Sequence, residues 1–591
     1  MQVDCSKIDE LFAAARSAIR PPSKLSPAEW AAKHVPIQNS ERAAYFDIKQ
    51  TPWWRRPMSA AGNNEVKEVV VLAPTGSGKS TMAEALLPWI TSEDPGPFLY
   101  ASQTDEDAKF WAESRLLPTL RACKPLKNLW PEDKSKSRKL EIIWPHMPMV
   151  LGGANMSNFQ EKSVRWLYGD EVWKWGPGLV REFLARHHNR WNRRVFLVSQ
   201  GGTTTDELSQ EWEKTDQAEF SWKCPECGTI QPYSRDQLKM DDVIEDGELN
   251  EQATADTARL CCGNCGHEFS DTVANRRMLA SSAIDDPATD EGYVLKDGSK
   301  PLHGYIGCHV HAFAIWWIPW AEYGVEYLAA MRQLKAGLAE KYRKLIQKRD
   351  AMPWEEDMAE TKADLRVGGY TGDDYAGGEP IDDEAERFFT MDVGKDHYWG
   401  AIRAWKHGGA SRLLWEGYIP TDDKILELQN EYNVPANRVF IDTGYESGRI
   451  YDLIVKHGWC GIRGDQKQSF PHRLKRGNQT KVVERVYSTI KRTKAPSGGV
   501  ARYVFISADR VKDVLHRLRH GQGADWEVPD DVSPAYRNQI DAEARRTFTN
   551  SKTGAETHRW VKVRRANHLF DAEVYNTAAA LIFGMFDDAG E

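Results

Sequence analysis

The stretch Ala73-Pro74-Thr75-Gly76-Ser77-Gly78-Lys79-Ser80-Thr81 follows an apolar run, Val69 to Leu72, and has the residue types of a phosphate-binding loop. Glycines at 76 and 78 let backbone N–H groups wrap a triphosphate, Lys79 reaches its β and γ oxygens, and the Ser80 hydroxyl is placed to ligate Mg²⁺. Ala73 stands where the motif G-x-x-x-x-G-K-[ST] has its first glycine, a small residue that keeps the turn feasible. Met82 to Ile90 is expected to be helical, with the positive end of the helix facing the phosphates. Further along, Val164 to Glu171 reads as a strand delivering two acids at its carboxyl end, where open α/β sheets bind ligands. Asp170 is the candidate to hold Mg²⁺ through water and Glu171 to polarise the attacking water; the alternative for such a pair is a solvated turn. The next apolar strand, Arg194 to Gln200, ends in Ser199 and Gln200. These two are candidates to sense the γ-phosphate and, with the Gly201-Gly202-Thr203 turn, to couple hydrolysis to movement.

A second chemistry lies in three carboxylates. Asp392 sits inside the strand Arg387 to Gly394, Asp442 ends the strand Arg438 to Gly444, and Asp571 opens the apolar helix that starts at Asn567. Such a set is suited to hold two divalent ions about 3.5–4 Å apart, clamping the attacking and leaving oxygens of a phosphodiester. Basic runs flank it: Lys467, His472, Arg473, Lys475, Arg476, Lys481, Arg485, Lys491, Arg492 and Lys494 after the second acid, and Arg559, Lys562, Arg564 and Arg565 before the third. Beside an acidic metal site they read as phosphate-tracking surface rather than as solvated faces. A third chemistry comes from two C-x-x-C-G knuckles. Cys224, Cys227, Cys262 and Cys265 supply four thiolates, enough for a closed tetrahedral Zn²⁺ site whose role is structural, since no position stays open. Cys261 is a bystander, and the long spacing between the knuckles implies an insertion. His309 and His311 of Cys308-His309-Val310-His311 fall on one strand face and read as packing.

Composition limits what surrounds these groups. The 591 residues exceed one core, and the net charge of −8 argues against indiscriminate coating of nucleic acid without excluding a DNA substrate. Most of the 23 tryptophans fall in apolar stretches and read as core, although Trp53, Trp54 and Arg55, just upstream of the loop, are equally placed to stack on a base. No run of about 18 apolar residues appears and Met1 to Arg20 lacks a signal-peptide core, so no membrane contact is expected and the chain is expected in a cytoplasm. Nine cysteines suit a reducing compartment with a metal site. The elements imply α/β architecture: a lead-in at 1–60 with a helix over Ile8 to Ile19, an ASCE-type phosphate-loop ATPase domain at 61–218, and a four-cysteine, zinc-ribbon-like insertion at 219–272. The remainder of the ATPase domain, or a lid, follows at 273–350, including a helix from Leu328 to Arg349. An acidic, glycine-rich linker occupies 351–386. Residues 387–591 open strand, turn, strand, turn, strand with an Asp in the first strand, the opening of a ribonuclease H-like nuclease.

Taken in this order the parts resemble the large terminase subunit of tailed phages, specifically the lambda-like GpA family. Beyond the loop the resemblance covers Gly152-Gly153-Ala154-Asn155, Val164 to Val172, the first C-x-x-C, Pro353-Trp354-Glu355-Glu356, Asp442-Thr443-Gly444 and the helix from Asn567 to Ala580. It implies Lys79 and Ser80 on ATP and Mg²⁺, Glu171 as water activator, and Asp392, Asp442 and Asp571 on nuclease Mg²⁺ or Mn²⁺. The family often has Tyr-Gln where Trp53-Trp54 stand, and arginines where Gln160 and Lys162 stand, so Arg115, Arg165 and Arg186 become the arginine-finger candidates. Such a finger is worth on the order of 10³ to 10⁵ in rate. The resemblance implies a motor that moves duplex DNA into a procapsid through its portal and cuts concatemers. It further implies a homo-oligomeric ring, a small terminase subunit as partner and a host-cell cytoplasm. The competing readings are a helicase-nuclease of DNA repair and a DNA-binding adaptor whose nuclease-like domain is inactive.

Overall fold

A computed structural model describes residues 23–37, 44–160, 163–187, 189–245, 248–335, 338–354, 365–476, 479–549 and 556–586. The expected helix over Ile8 to Ile19 lies outside these. The chain forms two compact units, one built mainly from residues 1–327 with 343–355, the other from 328–342 and most of 356–591.

The first unit is organised on a parallel sheet. Its strands are β1 (Glu68–Leu72), β2 (Phe98–Ser102), β3 (Pro148–Gly153), β4 (Trp166–Asp170), β5 (Arg194–Ser199), β6 (Ala218–Lys223) and β7 (Tyr305–His309). They lie in the order β6-β7-β1-β5-β4-β2-β3, with Glu141–Ile143, Ile230–Pro232 and Tyr293–Val294 added antiparallel at the margins. Every residue of β1, β2, β4 and β5 is buried. This is why these strands read in sequence as continuous rather than alternating apolar runs: helices cover both faces of a parallel sheet. The order places β5 between the strand that feeds the phosphate loop and the strand that ends in Asp170. After β1 the chain turns through Gly76 and Gly78, both at positive φ (83° and 86°), and enters α1 (Lys79–Glu93). The expected helix at Met82–Ile90 thus begins three residues earlier, on Lys79 itself.

Between β6 and β7 lies the cysteine module. It carries a three-stranded sheet of Leu238–Lys239, Arg259–Cys261 and Glu268–Ser270, and the insertion between the knuckles adds a small hairpin and the helix Glu251–Asp256. The long helix expected over Leu328 to Arg349 is divided into Trp320–Lys335 and Glu340–Leu345, the latter continuing as a π turn to Asp350.

The second unit holds an eight-stranded sheet. Its principal strands are β8 (Glu386–Gly394), β9 (His397–Trp405), β10 (Ser411–Ile419), β11 (Val439–Asp442), β12 (Cys460–Asp465) and β13 (Val500–Ser507), in the order β13-β12-β11-β8-β9-β10. The first three are antiparallel and the rest add in parallel, the ribonuclease H-like arrangement. Alternation along each strand separates two cores: Phe388, Ala401, Leu413 and Phe440 pack on one face with the C-terminal helix α2 (His568–Ile582). Phe389, Ile402, Leu414 and Ile441 pack on the other, with the helices Asp422–Glu431 and Ser447–His457. The even-numbered positions 388, 390 and 392 therefore share a face with 440 and 442, and that face is covered by α2. The helix is locked there by polar ties inside an apolar interface. Asn576 donates to Thr390 Oγ1 and accepts from Trp405 Nε1 at 2.8 Å, and Thr390 Oγ1 donates to Ala572 O. Glu573 accepts from Nε and Nη2 of Arg403, with both side chains fully buried, and also accepts from Tyr536 at 2.6 Å.

Candidate active sites

The phosphate loop is held from outside by three indoles. Trp53 and Trp54 both donate to Ser77 O (3.0 and 2.9 Å), and Trp317 donates to Gly76 O at 3.2 Å. In a trans peptide the C=O and N–H point oppositely, so pinning Ser77 O outward turns the Gly78 N–H to the inner, phosphate side. Trp53 and Trp54 are fully buried; of their two expected roles, the structure gives them packing. Lys79 is buried and donates to Ala73 O and Pro74 O (3.2 and 3.1 Å), with its Nζ 3.6 Å from Glu171 Oε1. Burial lowers its pKa, and Glu171 and Asp170 oppose that shift.

Asp170 and Glu171 face this lysine from the end of β4. Glu171 takes a left-handed backbone conformation (φ 50°), a strained geometry for a non-glycine residue that turns it off the strand. Its carboxylate accepts from Trp173 Nε1 at 2.8 Å and from Gln200 Nε2 at 3.2 Å. Burial raises the pKa of Glu171, but Lys79, Trp173, Lys174 and Gln200 outweigh it and hold the group ionised. Asp170 is pushed up to about 6 by burial and by its neighbour Glu171, although Tyr100 donates to it at 2.9 Å. Gln200 reaches Glu171 because β5 lies between the two strands. Ser199 Oγ accepts from Trp173 N at 3.0 Å, fixing the turn after Glu171. Pro74, Ser77 and Lys79 are buried, Thr75 and Gly76 are exposed, and Gly78, Ser80 and Thr81 are half-buried. Two of the three arginine candidates point elsewhere: Arg165 pairs with Asp94 and Arg186 with Glu182. Arg115 pairs with Glu84 and donates to Thr81 Oγ1, beside the loop.

The turn after β5 is tied to the end of the 340–350 segment: Gly201 N donates to Gln347 O, and Gln347 Nε2 to Gly202 O. Asp350, a few residues on, accepts from Tyr323 and Arg235 and lies 3.2 Å from His311, while His309 bonds to Asp350 O. Both histidines are thus in polar contact with Asp350.

The cysteine knuckles are built alike. Gly228 and Gly266 both take positive φ (73° and 74°) and donate to Cys224 O and Cys262 O. Sγ of Cys224 lies 3.8 Å from that of Cys265, and Sγ of Cys227 lies 3.8 Å from that of Cys262. A tetrahedron with Zn–S bonds of about 2.3 Å has edges of about 3.8 Å, so the donor set fits zinc. Cys261 is outside the cluster.

In the second unit, Asp392 and Asp442 fall at the same level of adjacent parallel strands, one step beyond the Met391–Ile441 pair. Asp571 occupies the first turn of α2 above them. Burial and the charge of Asp392 push Asp442 up to about 6 and Asp571 up to about 8. Burial and the neighbouring carboxylate outweigh the nearby cations, Lys512 and Lys562 for Asp571 and Arg463 for Asp442, so these carboxyls hold protons well above the usual carboxylate range. Their oxygens are more widely spread than the cysteine sulfurs: among the described residues only the cysteine set has all donor atoms within 4.8 Å of one another. Several neighbours were not legible in the sequence. His568 Nδ1 lies 2.6 Å from Asp392 Oδ2, and that hydrogen bond raises the pKa of His568. Asn567 bridges Asp571 and Glu543, and Lys562 and Lys512 contact Asn567 and Glu543 respectively. The basic runs form hairpins, Phe470–Arg476 with Gln479–Arg485 and Glu543–Thr549 with Glu556–Lys562.

A phosphate-loop ATPase joined to a ribonuclease H-like metal-dependent nuclease is the class these two sites define. The chain belongs to the phage terminase large subunit gpA family, whose ATPase domain matches residues 40–283 and whose endonuclease domain matches residues 305–588. Solved structures similar to it include the large terminase of a thermophilic bacteriophage (10% identity, 90% of this chain and 98% of that one, TM-score 0.33). The bacteriophage HK97 large terminase is similar over 94% and 99% of the two chains, at 10% identity and TM-score 0.31. The Phi-28 gp11 DNA packaging motor is similar over 65% and 83%, at 9% identity and TM-score 0.22. A comparison with curated protein sequences gives no match. The protein is accordingly an ATPase and nuclease of phage DNA packaging that uses nucleotide and divalent metal. No helix among the described residues is long and apolar enough to cross a membrane.

Proposed function

We propose that ATP hydrolysis at the loop Ala73–Thr81 drives duplex DNA into a procapsid and that Asp392, Asp442 and Asp571 form the centre that cuts concatemeric DNA. The observation that carries the first half is the contact of Lys79 with Glu171 and of Glu171 with Gln200 across the end of β5. Lys79 now rests on its own loop carbonyls and on Glu171; a triphosphate competes for it, and its transfer to the β and γ oxygens leaves the Glu171 carboxylate to accept a proton from water. Trp173 and Gln200 keep that carboxylate oriented. Gln200 Oε1 is buried without a partner, an acceptor suited to the same water. Ser80 and Asp170 are the residues to hold Mg²⁺. Movement is transmitted from Ser199 and Gln200 through the Gly201–Gly202 turn to Gln347.

In the second unit, Mg²⁺ or Mn²⁺ bound by the three aspartates supplies charge neutralisation and an activated water at the phosphodiester. His568 orients Asp392, Tyr575 buttresses Asp442 from α2, and the basic hairpins track the DNA backbone. Zinc on the four cysteines staples the module between β6 and β7. A homo-oligomeric ring at the portal, with a small terminase subunit selecting the DNA site, completes the motor; family membership does not favour the helicase-nuclease or inactive-adaptor readings. Plasmid incubated with ATP and Mn²⁺ separates the two centres. Lys79→Ala and Glu171→Ala are expected to abolish ATP turnover and keep cutting, and Asp392→Ala to abolish cutting and keep turnover. Full nuclease activity in Asp392→Ala would sink the C-terminal assignment.

A further inference from the structure

The two tryptophans just upstream of the loop are unavailable to a nucleobase, because both are fully buried and both indole N–H groups are used on Ser77 O. A different indole is partly exposed. Trp317 follows β7, the strand on the other side of β1 from β5, and is 37% exposed, whereas large aromatic side chains in this unit are mostly buried. It is not a loose surface residue. Its N–H is fixed on Gly76 O, and its ring centroid lies 5.3 Å from that of buried Trp53 and 5.1 Å from that of Trp316. Trp316 is in turn anchored by its N–H on Gln50 O at 2.8 Å and covered by the Arg277 guanidinium at 3.7 Å from its centroid. Thr51 lies at the same margin of the loop. Thr51, nine-tenths buried between Gln50 and the Trp53-Trp54 pair, has its Oγ1 without a partner, and its methyl lies 3.9 Å from where a Cβ on Gly78 would stand.

We propose that Trp317 is the platform on which the base of the bound nucleoside triphosphate stacks, with Trp53 and Trp316 holding its ring in place. The inference rests on the reading of Ala73–Thr81 as the triphosphate site. The physical case is that the indole is attached to the loop itself, so its face is presented at a fixed distance from the phosphates with no ordering cost on binding. An exposed aromatic face beside a phosphate cradle offers the base dispersion and π contact that its hydrogen-bonding edge does not require. This also explains how the chain binds a base with two buried tryptophans in the upstream segment: Trp53 serves from behind the platform.

Calorimetric titration of the full chain with ATP and, separately, with inorganic tripolyphosphate tests the assignment, because the second ligand has phosphates and no base. Trp317→Ala is expected to weaken ATP binding about tenfold or more, the effect of losing one base–aromatic stack, and to leave tripolyphosphate binding within about twofold. Trp317→Phe, which keeps an aromatic face and loses the bond to Gly76 O, is expected to retain most of the ATP affinity. Unchanged ATP affinity in Trp317→Ala overturns the proposal, as does an equal loss for both ligands, which would make Trp317 a prop for the loop alone. Lys79→Ala separates the underlying reading: it must weaken both ligands, and if it weakens neither, the triphosphate site itself is misassigned.

Discussion

Loading of the nuclease centre with Mn²⁺ or Mg²⁺ is expected to expel about one proton per chain at pH 7. In the metal-free protein Asp571 is pushed up to about 8 and Asp442 up to about 6, in each case by burial and by the charge of Asp392. At pH 7 a carboxyl with a pKa one unit above the pH is about nine-tenths protonated, and one with a pKa a unit below is about one-tenth protonated. The pair therefore carries about one proton, and a cation held by ionised carboxylates must displace it. The sign follows: a raised carboxyl pKa makes the proton a competitor of the metal on the acid side, so affinity falls as pH drops. Between pH 8 and 6 the apparent affinity is expected to change about tenfold per unit, flattening above pH 8 once Asp571 is ionised and steepening below pH 6 as Asp442 also protonates. Titration calorimetry of Mn²⁺ into metal-free protein, in two buffers of different protonation enthalpy at pH 7, reads the released proton directly. Observed heats that do not depend on the buffer, together with an affinity that is flat from pH 6 to 8, would refute the reasoning and place the three aspartates outside a common cation site.

Glu573→Ala removes the carboxylate that neutralises Arg403 and accepts from Tyr536 where both members of the ion pair are fully buried. Leaving that charge unpaired costs about 3–5 kcal/mol, which for a unit of this size lowers the thermal midpoint by ~10 °C, and the loosening of α2 is expected to reduce cutting more than ATP turnover. An unchanged midpoint measured by calorimetry would contradict the packing described for α2. The purified chain is expected to contain one zinc per molecule by atomic absorption, and Cys262→Ser with Cys265→Ser to lose it and to become sensitive to proteolysis between β6 and β7. Retention of full zinc content in the double variant would remove the metal from these cysteines.

Most of the elements that carry the chemistry were legible because burial on both faces leaves a simple signature. The strands ending at Leu72, Asp170 and Ser199 are short apolar runs, the last two closed by polar residues, and the structure places each within about two residues of the sequence reading. The alternating nuclease strands were readable for the complementary reason, that successive residues serve two different cores. What stayed hidden depends on register and long-range contact. Nothing in the sequence ties Glu543 or His568 to Asp392 and Asp571; the first is hydrogen-bonded to the centre through Asn567 and acts on Asp571 by its charge, and the second reaches it through the one-turn offset that α2 imposes. The sequence makes Trp53 and Trp54 equally plausible as core and as base contacts, since exposure is not a local property. The division of the 328–349 helix was hidden too, because the charge pattern is continuous across the interval.

The three indoles on the phosphate loop show why such contacts have to be found in space. Ala73 replaces a glycine at the mouth of the loop, and the nucleotide-facing conformation is then fixed from outside, by carbonyls of Gly76 and Ser77 that accept from residues on either side in sequence, at 53, 54 and 317. A buried acceptor left without its donor costs about 1–3 kcal/mol, so loss of one indole from buried Ser77 O is tolerable while the other remains, whereas Gly76 is exposed and water can take the place of Trp317 on its carbonyl. The loop is therefore braced twice from the upstream segment and once from the segment that follows β7. β7 itself runs in parallel register along β1 from Glu68 to Leu72, and Val310 N donates to Leu72 O, so the placement of β7 and the start of the loop constrain one another through the sheet as well as through Trp317.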